Sequence, residues 1–214
     1  CVQLLCEAKA DVHVISRVDS KTALMFALEH ESAESVQVLL HAKADIHAKD
    51  RHQQTALIYA CKYGNTAGAR MLIDAKADIH ARGSTHDDPA LLWALRHSRL
   101  ECAKLLLDAK ADILLTNSHG ETALIVAATQ EDPACVQLMV DAKADVRARN
   151  RNGGTALIAA AQCGNAECMR ILIDAKAEIN ARNSNNGTAL SGAAWKKSDA
   201  CVQLLVNARA ELDV

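Results

Sequence analysis

The apolar positions between Thr55 and Asp78 fall into two short runs at helical spacing. Leu57, Ile58, Ala60 and Cys61 share one face, Gly64-Asn65 interrupts, and Ala69, Leu72 and Ile73 form a second face. Thr55 stands where its hydroxyl would accept from the first turn of the first helix. The second helix is expected to end at the segment Asp74 to Asp78, reading Asp-Ala-Lys-Ala-Asp. A polar stretch follows, and its later counterparts contain Asn152-Gly153-Gly154 and Asn186-Gly187, residues suited to hairpin turns. One unit is therefore two antiparallel helices and a hairpin.

The same unit recurs along the chain. Thr-Ala-Leu begins at Thr22, Thr55, Thr122, Thr155 and Thr188, and Pro-Ala-Leu at Pro89 fills the gap, with spacings of 33, 34, 33, 33 and 33. Ala-Lys-Ala-Asp or a close variant begins at Ala8, Ala42, Ala75, Ala109, Ala142, Ala175 and Ala208, and the last six lie 20 residues after the Thr or Pro. Two independent markers in one register exclude coincidence.

At these residues the chain resembles the ankyrin-repeat family, over essentially its whole length. The resemblance implies an all-α fold with β-hairpin loops, an ankyrin-repeat solenoid of helix-turn-helix-hairpin units in a single array. A partial repeat over 1–16 is followed by units over about 17–49, 50–82, 84–116, 117–149, 150–182 and 183–214. Single extra residues fall in the hairpins before Thr22 and Pro89, where insertions are tolerated.

Two departures from the family pattern are systematic. Ala follows Thr where the family has Pro, and the family's His position holds Met25, Ile58, Leu92, Ile125, Ile158 or Ser191, which exchanges a polar contact for burial. The Gly that usually ends the second helix is replaced by Lys9, Lys43, Lys76, Lys110, Lys143, Lys176 or Arg209. A non-Gly residue in a left-handed conformation costs roughly 1 kcal/mol or more. A cation at a helix C-terminus returns about 0.3 to 1 kcal/mol. Asp11, Asp45, Asp78, Asp112 and Asp145, two residues further on, are expected to neutralise this basic row.

Composition adds exclusions. The net charge of −2, from 24 basic and 26 acidic side chains, gives no general attraction to nucleic acid or anionic membrane. No run of 18 apolar residues exists, so no membrane span is expected, and the N-terminus lacks a signal peptide's pattern. Five of eight cysteines (Cys1, Cys102, Cys135, Cys168 and Cys201) repeat one position of the second helix. Rungs about 10 Å apart by helix packing are too distant for a disulfide, which needs Cα atoms within roughly 7 Å. They read as small buried residues in a reducing, intracellular compartment, most simply the cytoplasm. Histidines such as His13, His47 and His80 likewise mark a repeated position, and His52, His86 and His119 fall near hairpin tips. Neither an HExxH nor a paired CxxC occurs, and no phosphate-binding glycine loop, so no metal, no cofactor and no catalytic constellation is expected. The acceptor-like triplet Asn186-Gly187-Thr188 is explained by Thr188 acting as a helix cap.

Ankyrin arrays, as the resemblance implies, bind with hairpin tips and the exposed side of the first helices. All five aromatic residues lie on first helices: Phe26, Tyr59 and Trp93 at equivalent positions, where later units have Val126, Ala159 and Gly192, and Tyr63 and Trp195 at outward positions. Aromatic anchors are enriched in binding hot spots. Charge at the tips comes from Arg147, Arg149, Arg151 and Arg182, opposed by Asp87, Asp88 and Glu121. The leading reading is a non-enzymatic scaffold that binds a protein partner. A chain starting at Cys1 and ending within a repeat suggests a fragment whose end faces meet further repeats or a partner in a larger assembly. Two alternatives stay open: a regulatory segment of a longer enzyme or channel, and nucleic-acid or lipid-headgroup binding by Arg147, Arg149 and Arg151.

Overall fold

The computed structural model describes residues 11–84 and 86–210, so Cys1, Lys9 and the rest of the first ten residues of the partial repeat lie outside the described residues. Twelve helices are present among them. In chain order they are α1 (Ala23–Glu29), α2 (Ala33–His41), α3 (Ala56–Tyr63), α4 (Thr66–Asp74), α5 (Ala90–Arg96), α6 (Leu100–Asp108), α7 (Ala123–Ala128), α8 (Pro133–Asp141), α9 (Ala156–Cys163), α10 (Ala166–Asp174), α11 (Ala189–Trp195) and α12 (Asp199–Asn207). The chain divides into two compact units, Cys1–Asp112 and Ile113–Val214.

Each first helix starts where its threonine predicts. The hydroxyls of Thr22, Thr55, Thr122, Thr155 and Thr188 accept from the backbone N–H three residues on, at 3.1 to 3.5 Å. Pro89 has no such hydroxyl, and α5 begins without a side-chain cap. Each second helix ends on a left-handed residue: Lys43, Lys76, Lys110, Lys143, Lys176 and Arg209 have φ between 62° and 68°. The lysine substitution thus keeps the backbone geometry at which glycine is customary, at a conformational cost.

The aspartates behind those lysines act differently from the expected neutralisation. Asp11, Asp45, Asp78 and Asp145 accept the backbone N–H two residues on at 2.8 to 2.9 Å, which builds the turn. Among the described residues, none of Lys43, Lys76, Lys110 and Lys143 forms an ion pair. The hairpins also carry less strand than expected. Isolated antiparallel bridges join Ile15 to Thr22, Lys49 to Thr55 and Arg82 to Pro89, and a side-chain oxygen organises several of the tips. Asp50, Asn117, Asn150 and Asn183 each accept two backbone N–H groups, from the residues two and four further on.

In the first unit α1, α3 and α5 lie side by side, as do α2, α4 and α6, and each repeat's two helices pack together. Leu24, Met25, Leu28, Leu57, Ile58, Leu72, Leu91, Leu92, Leu95 and Leu106 are fully buried or nearly so. In the second unit α7, α9 and α11 form one row and α8, α10 and α12 the other, around Leu124, Met139, Leu157 and Leu172. Met25, Ile58, Leu92, Ile125 and Ile158 are buried as expected, whereas exposed Ser191 turns back to accept from the Thr188 N–H at 2.9 Å. Ile73 is only half-buried. Hairpins of adjacent repeats are tied by backbone bonds, Arg51 N to Asp19 O and Ser84 N to His52 O in the first unit, Arg151 N to His119 O and Ser184 N to Asn152 O in the second.

Because Thr155 is only 2% exposed and its hydroxyl holds the Ile158 N–H, replacement by Ala leaves that donor unsatisfied. Thr155→Ala is predicted to lower stability by about 1 to 2 kcal/mol, and Thr155→Ser by much less, measured by urea unfolding.

Candidate functional site: an aromatic and cationic row on the first unit

Phe26, Tyr59 and Trp93 each lie four residues after the Thr or Pro preceding α1, α3 and α5, so side-by-side packing of those helices places the three rings in a row. The row is interleaved with lysines. Lys21 Nζ lies 5.3 Å from the ring centroids of both Phe26 and Tyr59, and Lys62 Nζ lies 5.3 Å from Tyr63 and 5.2 Å from Trp93. Each such contact contributes about 0.5 to 2 kcal/mol, more as water is excluded. Tyr63 packs on Tyr59 with centroids 5.9 Å apart, and His97 lies parallel to Trp93 at 5.7 Å.

Hydrogen bonds fix the polar ends. Lys21 donates to Glu29 at 2.8 Å, and the Tyr63 hydroxyl donates to the other oxygen of the same carboxylate at 3.0 Å, which joins α3 to α1. The Lys21 hydrogen bond, seconded by Tyr63, holds the Glu29 carboxyl below the usual range despite partial burial. Burial, with Glu29 as acceptor, pushes the Tyr63 phenol up to about 12. The Tyr59 hydroxyl donates to Asp50 Oδ2 at 2.9 Å, and burial followed by that carboxylate raises its pKa further still. His97 is held below its ordinary value by desolvation first, then by the charges of Lys62, Arg99 and Arg96.

These side chains border a cavity of about 290 Å³, walled by Asp19, Arg51, His52 and Gln54 from the hairpins and by Lys21, Tyr59, Lys62, Tyr63 and Trp93. Exposure differs along the row. Phe26 is 40% exposed, Tyr63 half-buried, and Tyr59 and Trp93 are covered, at 3% and 6%. Covered as it is, Trp93 Nε1 has no hydrogen-bond partner among the described residues. The reason is one repeat away: Asp50 accepts from Tyr59, and the residue 33 positions on is Gly83, which has no side chain to offer. A Cβ built at Gly83 would sit 3.8 Å from Trp93 Nε1.

The second unit is built differently. Val126 and Gly192 are buried, Ala159 is half-buried, and Trp195 stands alone at 80% exposure. A smaller cavity of about 240 Å³ there is lined largely by amides and small residues, among them Asn150, Asn152, Gln162 and Asn183. Of the candidate arginines, Arg149 pairs with Glu178 at 2.9 Å and donates to Arg182 O at 2.8 Å, so its guanidinium holds two hairpins together. Arg147 and Arg151 are exposed. The row on the first unit brings together Phe26, Tyr59, Tyr63 and Trp93, and leaves out Trp195 and the arginines.

Sequence reasoning overlooked Lys21, Lys62 and Glu29, whose positions only the packing of neighbouring repeats reveals. It also treated the cysteine row as uniform. Cys102 Sγ lies 3.5 Å from Thr66 Oγ1, and hydrogen bonding with the Cys61 thiol lowers its pKa to about 7. Burial, with the Asp132 carboxylate adding to it, raises Cys135 to about 12 and Cys168 to about 11. Cys61, Cys102, Cys135, Cys163, Cys168 and Cys201 are free thiols. No group of three or more His, Cys, Asp or Glu side chains among the described residues is arranged to hold a metal ion, and no helix among them is long and apolar enough to cross a membrane.

The repeat geometry agrees with comparison to known proteins. The family model for ankyrin repeats (three copies) matches residues 1–83, 80–150 and 124–214, and the chain belongs to the ankyrin-repeat family. Ankyrin repeats generally mediate protein–protein interaction. Among solved structures, the human ASB11 ankyrin repeat domain is 25% identical with a TM-score of 0.89, over 99% of this chain and 93% of that one. An ankyrin repeat domain from Acinetobacter baumannii AYE is 30% identical with a TM-score of 0.76, over 88% and 98%. The ankyrin repeat domain of Bcl-3, a member of the IkappaB family, is 28% identical with a TM-score of 0.77, over 96% and 90%. A search of curated proteins finds no match by sequence.

The Lys21–Glu29–Tyr63 arrangement makes a pH prediction. A carboxyl whose folded pKa is depressed contributes stability that is present above its ordinary value near 4.5 and is lost as pH falls through the folded value. Glu29→Gln is predicted to cost about 1 kcal/mol at pH 7 and almost nothing at pH 2, by urea unfolding at both pH values.

Proposed function

We propose that this chain is a non-enzymatic recognition module whose first unit binds a protein partner through the row formed by Phe26, Tyr59, Tyr63 and Trp93 and the hairpins beside it. The observation that carries this reading is the row itself. Rings from three consecutive repeats are held in register by two lysines and one glutamate, and Phe26 and Tyr63 keep part of their surface open to solvent. Preorganised aromatic side chains lose little entropy on contact, which suits them to anchor a partner. Trp195, at 80% exposure, offers the second unit's contact. Free cysteines at 0 to 1% exposure in both units favour a reducing, intracellular setting. Engagement of Arg149 by Glu178 and by the Arg182 carbonyl argues against a phosphate-binding stripe of Arg147, Arg149 and Arg151. The six units read from the sequence, over about 17–49, 50–82, 84–116, 117–149, 150–182 and 183–214, are the proposed division of the array.

The test is quantitative capture from cell extract by the wild-type chain and by a Phe26→Ala, Tyr63→Ala double variant. With circular dichroism unchanged, the variant is predicted to retain its partner at least about tenfold less well. Equal retention by the folded variant would falsify the aromatic assignment.

A further inference from the structure

The cavity in the first unit has a definite charge preference. Its ring faces are already covered by Lys21 and Lys62, so a cationic side chain from a partner meets like charge there. Most charges around it are spoken for. Lys21 pairs with Glu29, Arg51 with Asp19 at 3.4 Å, and Arg96 with the fully buried Asp88 at 2.9 Å, while Asp50 accepts from Tyr59 and two backbone N–H groups. Lys62, half-buried, pairs with no carboxylate among the described residues. Beside it, Trp93 Nε1 is a buried donor without an acceptor, at the place where Gly83 interrupts the series that supplies Asp50 to Tyr59. A cation without a counter-ion and a donor without an acceptor border the same hollow, and one carboxylate would satisfy both.

We propose that this cavity receives a single aspartate or glutamate side chain of the protein partner, its carboxylate pairing with Lys62 and accepting from the indole N–H of Trp93. The proposal rests on the protein-binding reading above and names the chemistry of its anchor. The Gln54 side chain, whose Cγ is 3.2 Å from where a Gly83 Cβ would stand, yields to admit the acid. The depressed basicity of His97, to which Lys62, Arg99 and Arg96 contribute after desolvation, reports the same positive potential. A polyanion fits less well, because the carboxylate of Asp19 lines the cavity and that of Glu29 is bonded to its wall at Tyr63.

The probe is the tightest-binding dodecapeptide selected from a random phage-displayed library on the purified 214-residue chain, with affinities read by calorimetry. The selected peptide is expected to contain an Asp or Glu whose replacement by Ala weakens binding roughly tenfold. Lys62→Ala is expected to weaken it to a similar extent, without a further loss when the two changes are combined. Lys62→Arg should retain affinity within a few-fold, Lys104→Ala should have no effect, and Trp93→Phe should lose several-fold. Gly83→Asn supplies an internal acceptor for Trp93 Nε1 and is expected to raise the urea midpoint while weakening the probe. Circular dichroism establishes that each variant folds. Binding that needs no acidic residue, or that survives Lys62→Ala unchanged, overturns the carboxylate assignment and leaves protein recognition standing. Binding indifferent to Phe26→Ala and Tyr63→Ala overturns both. Tighter, Lys62-dependent binding of a single-stranded oligonucleotide or a phosphoinositide vesicle also overturns the proposal, in favour of a polyanion.

Discussion

No helix pair in this chain can bury its apolar side alone. The first helices are six to eight residues long, too short to persist by themselves, and Leu57, Ile58 and Leu92 reach 0 to 1% exposure only because neighbouring repeats close over them. Every other feature follows from that nearest-neighbour burial. It fixes the distance between first helices, and hence brings Lys21 of one repeat over Tyr59 of the next. It gives Glu29 a partner in Tyr63, 34 residues away. The proposed recognition surface is thus the outward side of the same layer that forms the core, and inherits its rigidity.

Much of this was legible in the chain itself. Period, caps and left-handed lysines follow from residue types that recur every 33 positions, because each answers a local backbone requirement: an oxygen for Thr55 to offer Ile58, a turn for Lys76 to close. Burial of Met25, Ile58 and Ile158 followed from their spacing. Side-chain contacts between repeats were not legible, since Lys21 and Lys62 look like ordinary solvated residues until the neighbouring helix is in place. Asp45 and Asp78 misled for a related reason: a carboxylate two residues from a lysine reads as its counter-ion, yet the nearer backbone N–H is the partner that the turn geometry favours. One signal was available and passed over. Asp50, Asn117, Asn150 and Asn183 mark a repeating acceptor that is missing at Gly83, and that gap points directly at Trp93.

The two units solve the same packing problem with different surfaces. Large rings and lysines cover the first helices of one, whereas Val126, Ala159 and Gly192 leave the other smooth apart from Trp195. The cysteines repeat this contrast inside the core. Cys102 lies among the polar groups of Cys61 and Thr66, while Cys135 faces the Asp132 carboxylate, so one thiol position acquires opposite acidities. Repetition fixes the backbone, and a few local substitutions set the chemistry that each face presents.

With only two tryptophans in the chain, Trp93 and Trp195, the indole region of a proton–nitrogen correlation spectrum reports on both units at once. If recognition centres on the cavity of the first unit, titration with an acidic peptide ligand moves the Trp93 indole N–H downfield as it gains an acceptor and leaves that of Trp195 in place. A shift confined to Trp195, or an unmoved Trp93 signal at saturation, would contradict the account.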